Sequence, residues 1–439
     1  MRVLLVSPTA VDAAGRPVKQ SRVHLPGLTL PMLAAVTPPG VHLRAVIETS
    51  QEIPWDEPWD LVGFTGMGSG ITRAWALADA FRARGAKTVI GGIAATLGDP
   101  DATLAHADAL VTGEAEETWP RVLADAAAGR LQRTYRPLRT VPIEGLPEPR
   151  YEVLDRRAIG RWLPVQATRG CPFTCSFCSI TAFFEQRYRK RPVDQVLRDV
   201  RLAKARGCRH IAFVDDNIGV DWDYAGALWE ALIPERIEWM SQCSLHISDQ
   251  PAMLALARRS GCRLLSFGIE SVNPESLAGI DKAWNRPGRY PGAIARIRGA
   301  GIEVSTEMIV GMDGDDATVF ARTEAFVMEN AIAVPRVHIL TPIPGTPLHA
   351  ELRAADRLLD VAFTSYTGGR VVFRPRHLAP EVLEREYWRL YERLFSWRAI
   401  LRRLWRNRAR LGPYLRGMML AVNLHYRANI RRRVTPGIV

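Results

Sequence analysis

Cys171, Cys175 and Cys178 stand in the stretch TRGCPFTCSFC, with three residues in the first gap and two in the second. Thiolate sulfur binds both zinc and iron–sulfur clusters, and the ligand count separates the two. A four-iron, four-sulfur cluster held by protein alone takes four cysteines, so three leave one iron with an open coordination position. Structural zinc closes with four ligands in paired short spacings, and no second CxxC or HxxxH pair follows nearby. The array reads first as an iron–sulfur ligand set, with zinc or ordinary buried thiols as the alternatives. Cys208, Cys243 and Cys262 lie in apolar or strand-like surroundings and read as core thiols.

CxxxCxxC with an aromatic residue before the last cysteine, which is Phe177 in this chain, resembles the signature of the radical S-adenosylmethionine (SAM) superfamily. The resemblance implies a [4Fe-4S] cluster whose open iron chelates the amino and carboxylate groups of SAM. An electron passed into the sulfonium then releases a 5'-deoxyadenosyl radical, with the cofactors supplying reactivity and the protein supplying orientation. It implies no catalytic side chain beyond the three ligands.

The rest of the chain must position this loop. At 439 residues, 47% apolar and 24% charged, it is long enough for two or three folded domains. Six cysteines are too few for a disulfide scaffold, and a cluster that must be reduced to act predicts the reducing cytosol. MRVLLVSP reads as a buried strand and not as a signal peptide, and no run of about 20 apolar residues is present to span a bilayer. The net charge of +12 is concentrated: Arg393 to Val439 holds twelve arginines, no lysine and no acid, which equals the excess of the whole chain.

The first hundred residues alternate short apolar runs with helical stretches, predicting an α/β fold that starts with a doubly wound, Rossmann-like parallel sheet. Strands are expected at Val3–Val6, His42–Ile47, Leu61–Thr65, Thr88–Gly92 and Ala109–Thr112, with a helix over Thr72–Arg84 ended by Gly85. Ligands of such sheets sit at the carboxyl ends of the strands. Those ends are Ser7 and Pro8, Phe64, Thr65 and Gly66, Gly91 and Gly92, and Gly113 and Glu114. LPGLTLPMLAA, DLVGFTGMGSG, VIGG and ALVTGEAEETWP together resemble the cobalamin-binding domain that precedes many radical enzymes, over about residues 1–135. The resemblance implies that these strand-end residues contact cobalamin. Two positions depart from it: DxHxxG is missing after the first strand, and Ala94 stands where relatives with GGxH have histidine. Cobalt would then have no protein ligand from below. The alternative is an empty domain whose glycines make plain strand-to-helix turns.

Residues 136–160, rich in proline and arginine, read as a linker. Residues 161–355 repeat strand and helix with strands at Leu163–Ala167, His210–Val214, Trp239–Leu245, Leu264–Ile269, Glu303–Val310 and Arg336–Leu340. Six such units resemble the partial (β/α)6 TIM-type barrel of the radical superfamily, with the cysteine loop after its first strand. By that resemblance Asp215 or Asp216 meets the SAM amino group, Glu270 and Ser271 the ribose, and Val310 and Gly311 the adenine. Helix capping by Asp216 or Asn217 is the competing role. His338, within an apolar strand, reads as a core histidine. TPIPGTPLHAEL looks like the same group of enzymes.

Residues 356–439 form a basic helical region in which YWRLYERLFSWRAILRRLWRNRARL places Trp388, Tyr391, Leu394 and Phe395 on one stripe. It reads as a helix packed on the barrel or one lying on an anionic membrane surface. RNA fits less well, because the aromatics do not interleave as stacking platforms. In its order of parts the chain resembles the cobalamin-dependent radical SAM enzymes that include C-methyltransferases and the cyclase of bacteriochlorophyll synthesis. That implies methylation of an unactivated carbon on a small, lipophilic substrate, with flavodoxin or ferredoxin as electron donor. A radical cyclisation or oxidation without methyl transfer is the second reading, and an iron–sulfur or cobalamin sensor the third.

Overall fold

Val3, Leu4, Leu5 and Val6 are buried on both faces of their strand, as a central parallel strand requires. In the computed structural model, which describes residues 1–12, 15–408 and 412–436, this strand lies in the first of two units, formed by Met1–Arg169 and Arg189–Val214. Its parallel sheet contains β1 (Arg2–Ser7), β2 (His42–Ile47), β3 (Leu61–Thr65), β4 (Lys87–Gly91), β5 (Ala109–Val111) and β6 (Thr134–Tyr135), in the order β2-β1-β3-β4-β5-β6. The order reverses at β1, which has β2 on one side and β3 on the other. Ser7 and Thr65 therefore end the two strands that flank the switch point, where a doubly wound sheet opens a crevice.

The five expected strands are present. The helix after β3 spans Gly70–Arg82, two residues earlier than expected at each end, and Gly85 then turns the chain with φ of +86°. The same unit holds β7 (Trp162–Val165) and β10 (His210–Phe213), paired in parallel with His210 opposite Trp162, and the antiparallel ribbon of β8 (Thr168–Arg169) and β9 (Arg189–Lys190). The helix Val193–Ala205 is tied below this ribbon by a buried ion pair, Arg191 to Asp199 at 2.7 Å.

The second unit contains Gly170–Tyr188 and the residues from Asp215 onward. Its parallel strands β11 (Glu238–Gln242), β12 (Cys262–Glu270), β13 (Glu303–Val310) and β14 (Val334–Ile339) lie side by side in chain order, joined by helical crossovers. With β7 and β10 of the first unit, all six strands expected of the partial barrel are present. The α/β reading with a helical C-terminal region holds.

β14 bonds to β13 on one side only, and its other side faces the C-terminal helices. Odd-numbered residues point their backbone groups that way. Pro335 has no N–H to satisfy. Val337 N–H donates to the Tyr391 hydroxyl at 2.8 Å, and its carbonyl accepts from Tyr391 at 2.6 Å and from Tyr387 at 3.1 Å. Ile339 N–H donates to Gly368 O at 2.7 Å, and Asn423 Nδ2 donates to Ala333 O at 2.9 Å. Side chains and a loop thus do the work of a seventh strand. The helix Pro380–Leu394 is accordingly packed: Trp388, Tyr391, Leu394 and Phe395 are all buried. Of the roles expected for that stripe, the packed helix is the one observed for these four residues, whose side chains cover the strand edge. Ala409, Arg410 and Leu411 of the segment lie outside the described residues.

Tyr391→Phe removes the hydroxyl and leaves Val337 N–H buried without a partner, a loss of about 1–3 kcal/mol. A lower thermal midpoint by circular dichroism is expected, and an unchanged midpoint would contradict this role for the edge contact.

Candidate active site

The cysteine loop leaves its ribbon through Gly170, whose φ of +85° is a glycine conformation and whose missing Cβ would collide with the Arg187 carbonyl. Gly170 N–H donates to Asp216 Oδ2 at 2.9 Å. Within the loop Cys178 N–H donates to Cys175 O at 3.1 Å, and Ser176 N–H donates to Ile280 O at 3.3 Å. Leu348 N–H donates to Ser176 O at 3.0 Å. The loop is therefore fixed to the segments after β12 and β14 before any metal is considered.

All three cysteines are free thiols, Cys175 buried and Cys171 and Cys178 half-buried. Burial pushes the Cys175 thiol up to about 11, Lys282 pulls it down, and Cys178, Glu270 and Cys171 raise it further. Cys171 is raised as well, first by burial. Among the described residues no three His, Cys, Asp or Glu side chains are grouped tightly enough to hold one metal ion. A cubane takes each thiolate on a different iron, so its ligands need to be near one another and still apart. The Ser176 hydroxyl, between two of the cysteines, is buried with no hydrogen-bond partner. Three thiols in mutual electrostatic range and a spare donor beside them fit a cluster of thiolates and sulfides.

Lys282 and Trp284 lie against the cysteine loop and were not named from the sequence. Lys282 Nζ donates to Glu270 Oε1 at 2.7 Å, both side chains are buried, and the ammonium lies 5.2 Å from the Trp284 ring. Trp284 stacks on Phe173 of the cysteine loop at 4.6 Å and on His246 at 5.0 Å. A lysine twelve positions beyond a glutamate, in a segment without periodicity, carries no signal in the chain alone. Glu270 itself has φ of +60°, at an irregularity in the β12–β13 register, which turns its carboxylate toward Lys282.

The other SAM candidates are distributed as follows. Phe177 is half-buried within the loop, and Asp215 is buried after β10. Asp216 holds Gly170 and does not cap a helix. Asn217 Oδ1 accepts from Ser244 N–H at 3.0 Å, and the helix Trp222–Leu232 is capped by Asp221 instead. Ser271 Oγ accepts from Asn273 N–H at 3.0 Å. Val310 is fully buried and accepts from Leu340 N–H. Gly311, with φ of +92°, donates its N–H to Asp315 Oδ2 at 2.9 Å, and the space its missing Cβ leaves is filled by Leu383. Across β12, β13 and β14 a polar row runs from Ser266 through Arg336 and Glu307 to His338, whose Nε2 is 3.5 Å from Glu307. His338 is thus a paired strand residue.

In the first unit, Ser7 O accepts from Glu48 N–H at 3.0 Å and Pro8 is half-buried. Phe64 is buried against Phe81, its ring 6.1 Å away, so it is a core residue and not a strand-end contact. Thr65 stands half-buried at the end of β3. Gly66 N–H donates to Gly91 O at 2.6 Å, and a Cβ on Gly92 would come within 2.6 Å of Gly66 O. These three glycines are thus needed by each other. Gly68 and Gly70, just beyond, face open space. Gly113, with φ of +72°, precedes Glu114, which is engaged by protein: Arg169 meets it at 2.5 Å and Arg189 at 2.9 Å, and Arg169 also meets Glu116 at 2.8 Å. This ion cluster joins the loop after β5 to both strands of the ribbon that carries the cysteine segment. Open glycine backbone beside a switch point fits a flat corrin, and Ala94, buried after β4, offers cobalt no nitrogen.

Glu114→Ala leaves two mostly buried guanidinium groups short of a carboxylate, and a stability loss of about 3 kcal/mol is expected. A urea midpoint equal to that of the parent protein would refute the cluster's structural role.

Residues 165–327 match the Radical SAM superfamily model. The chain is 29% identical over 364 residues to the bacteriochlorophyllide d C-12(1)-methyltransferase of Chlorobaculum tepidum, covering 81% of this chain and 79% of that protein. It is 26% identical to the bacteriochlorophyllide d C-8(2)-methyltransferase of the same organism, covering 88% of each. In fold it is similar to TsrM from Kitasatospora setae, a radical SAM methyltransferase solved with cobalamin and a [4Fe-4S] cluster (TM-score 0.63, 18% identity, 81% of this chain and 75% of that one). It is also similar to the cobalamin-dependent SAM radical enzyme OxsB (TM-score 0.66, 12% identity, 98% of this chain and 71% of that one). The three-cysteine loop, set after β7 in a parallel α/β fold, therefore lies within the stretch that matches the Radical SAM superfamily, and the similarity to two methyltransferases supports an enzyme.

Proposed function

We propose that the chain is a cobalamin-dependent radical SAM methyltransferase that methylates an unactivated carbon of a small, lipophilic molecule. The observation that carries this reading is the pairing of a three-cysteine loop with a separate parallel sheet whose switch point is bordered by open glycine backbone. Similarity to two methyltransferases along most of the chain supports it. In this reading residues 1–135 bind the corrin, 136–160 link, 161–355 carry the radical chemistry and 356–439 are the basic helical region.

When bound, the cluster and SAM supply a 5'-deoxyadenosyl radical and cobalamin supplies the methyl group. The chain's own residues bind and orient. Cys171, Cys175 and Cys178 are the cluster ligands, Asp216 fixes the amide that opens their loop, and Ser176 offers a hydroxyl toward sulfide. Lys282 offsets the negative charge of three thiolates while Glu270 sets where that ammonium sits. Asp215, Asp216, Glu270, Ser271, Val310, Gly311 and Phe177 are the SAM contacts of this proposal. Ser7, Pro8, Thr65, Gly66, Gly91, Gly92 and Gly113 border the corrin. Reduced flavodoxin or ferredoxin is the electron donor, and a reducing compartment such as the cytosol is the setting the cluster requires. The tetrapyrroles named for the two relatives are the first substrate class to try.

Anaerobically reconstituted protein given methyl-labelled SAM, cobalamin, reduced flavodoxin and a bacteriochlorophyllide is expected to yield labelled product with 5'-deoxyadenosine. Formation of 5'-deoxyadenosine with unlabelled product would replace methylation by the cyclising or oxidising reading, and no SAM cleavage would favour the sensor. Cys175→Ala is expected to lose the cluster's visible absorption and to cleave SAM only at background. Lys282→Met is expected to shift the cluster's midpoint potential down and Glu270→Gln to shift it up, because a nearby cation favours the reduced, more negative cluster. Shifts of the same sign in both would rule out the charge role.

A further inference from the structure

The helix Trp397–Arg406 follows the helix that covers β14, and its surface is divided in three. Ala399, Ile400 and Arg403 are buried, with Arg403 Nη2 donating to Asn423 Oδ1 at 2.7 Å. On the outside, Trp397, Leu401 and Trp405 recur at intervals of four and are 51%, 56% and 65% exposed. At 1.5 Å per residue they form an apolar strip roughly 12 Å long. Arg398, Arg402 and Arg406 recur at the same interval, one position on, so a row of guanidinium groups runs beside the strip along the same exposed half of the helix. Arg398 and Arg402 make no ion pair or hydrogen bond among the described residues. They border a groove of about 530 Å³ that Arg389, Arg393, Glu324 and Glu392 also line. In it Arg393 is paired with Glu324 at 2.6 Å and Arg389 with Glu386 at 2.8 Å, so that Arg398 and Arg402 are the arginines there left to an outside anion.

We propose that this helix face docks the enzyme on an anionic lipid surface, the tryptophans and Leu401 entering the acyl boundary and the arginine row meeting headgroup phosphates. Two large aromatics and a leucine left in water on one strip of a folded helix are placed for an interface: tryptophan prefers the headgroup level, and arginine beside it reaches phosphate. The charge selects the partner, since no acid occurs from Arg393 to Val439. A second copy of the chain is disfavoured, because a two-fold contact would set this arginine row against itself. A nucleic acid is disfavoured by Leu401, which fills the centre of the strip and has no ring on which a base could stack. No helix among the described residues is long and apolar enough to cross a membrane, so the contact is peripheral. The proposal does not depend on methylation being the reaction.

The test is co-sedimentation of the full-length protein with phosphatidylglycerol-containing vesicles and with pure phosphatidylcholine vesicles, at low and high salt. Binding to the anionic vesicles with a blue shift of tryptophan emission is expected, weakened at least roughly tenfold by W397A/W405A, by R398E/R402E and by omission of the anionic lipid. Far-ultraviolet circular dichroism of both variants should match the parent, since the altered side chains are exposed. No sedimentation with anionic vesicles would overturn the proposal. So would binding untouched by W397A/W405A, or self-association or RNA retention that these substitutions abolish while vesicle binding stays absent.

Discussion

A parallel sheet that ends on an edge strand has to satisfy the outward N–H and C=O groups of that strand without another strand to pair them. In this chain that burden falls on β14, and the C-terminal region is organised around it. Proline at 335 deletes one donor, Tyr391 serves Val337 twice, and Gly368 and Asn423 serve the residues on either side. The helix that brings Tyr387 and Tyr391 must bury its aromatic face to do so. The next helix then begins with its own inner face committed to Arg403 and Asn423 and its outer face left to solvent. The arginine-rich end of the chain is a structural closure first, and its exposed surface is what closure left over.

The cysteine segment depends on a second balance, between burial and charge. Burial makes the Cys171 and Cys175 thiols resist ionisation, and the structure sets one buried ammonium near them, itself positioned by a single carboxylate. Phe173 and Trp284 seal one side by stacking, so the loop is supported by rings as well as by backbone hydrogen bonds. The first unit makes its own provision at the base of the segment, where Glu114 and Glu116 hold Arg169 and Glu114 also holds Arg189. Acids expected to face a ligand are in part consumed in positioning the chain.

The parts legible in sequence were those whose chemistry lies close together along the chain. The cysteine triad is such a case, because loop ligands must be near neighbours to reach one cluster. The strands were legible because a parallel strand buried on both faces reads as a continuous apolar run, as in Val3–Val6. Helix ends were less so, since Ser69 and Gly70 start the helix after β3 without a side-chain cap. Contacts across long separations were invisible: Glu114 and Arg189 lie 75 residues apart, and Lys282 finds Glu270 only after β12 has turned. Phe64 and the stripe at Trp388 were ambiguous because an aromatic at a strand end or on an arginine-rich helix has the same pattern whether it meets a ligand, a lipid or a neighbouring helix. Only packing tells them apart.

The ribbon of β8 and β9 brings together the two ends of an excursion of about twenty residues using protein-to-protein bonds alone. The entropy of closing such a loop is met when the polypeptide folds, and it grows only slowly with loop length. Cofactor insertion can then follow folding as a distinct event, meeting a loop already held at both ends instead of ordering a slack chain. For anyone producing this enzyme, that separates two problems: folding it in an ordinary host, and loading it afterwards under anaerobic conditions.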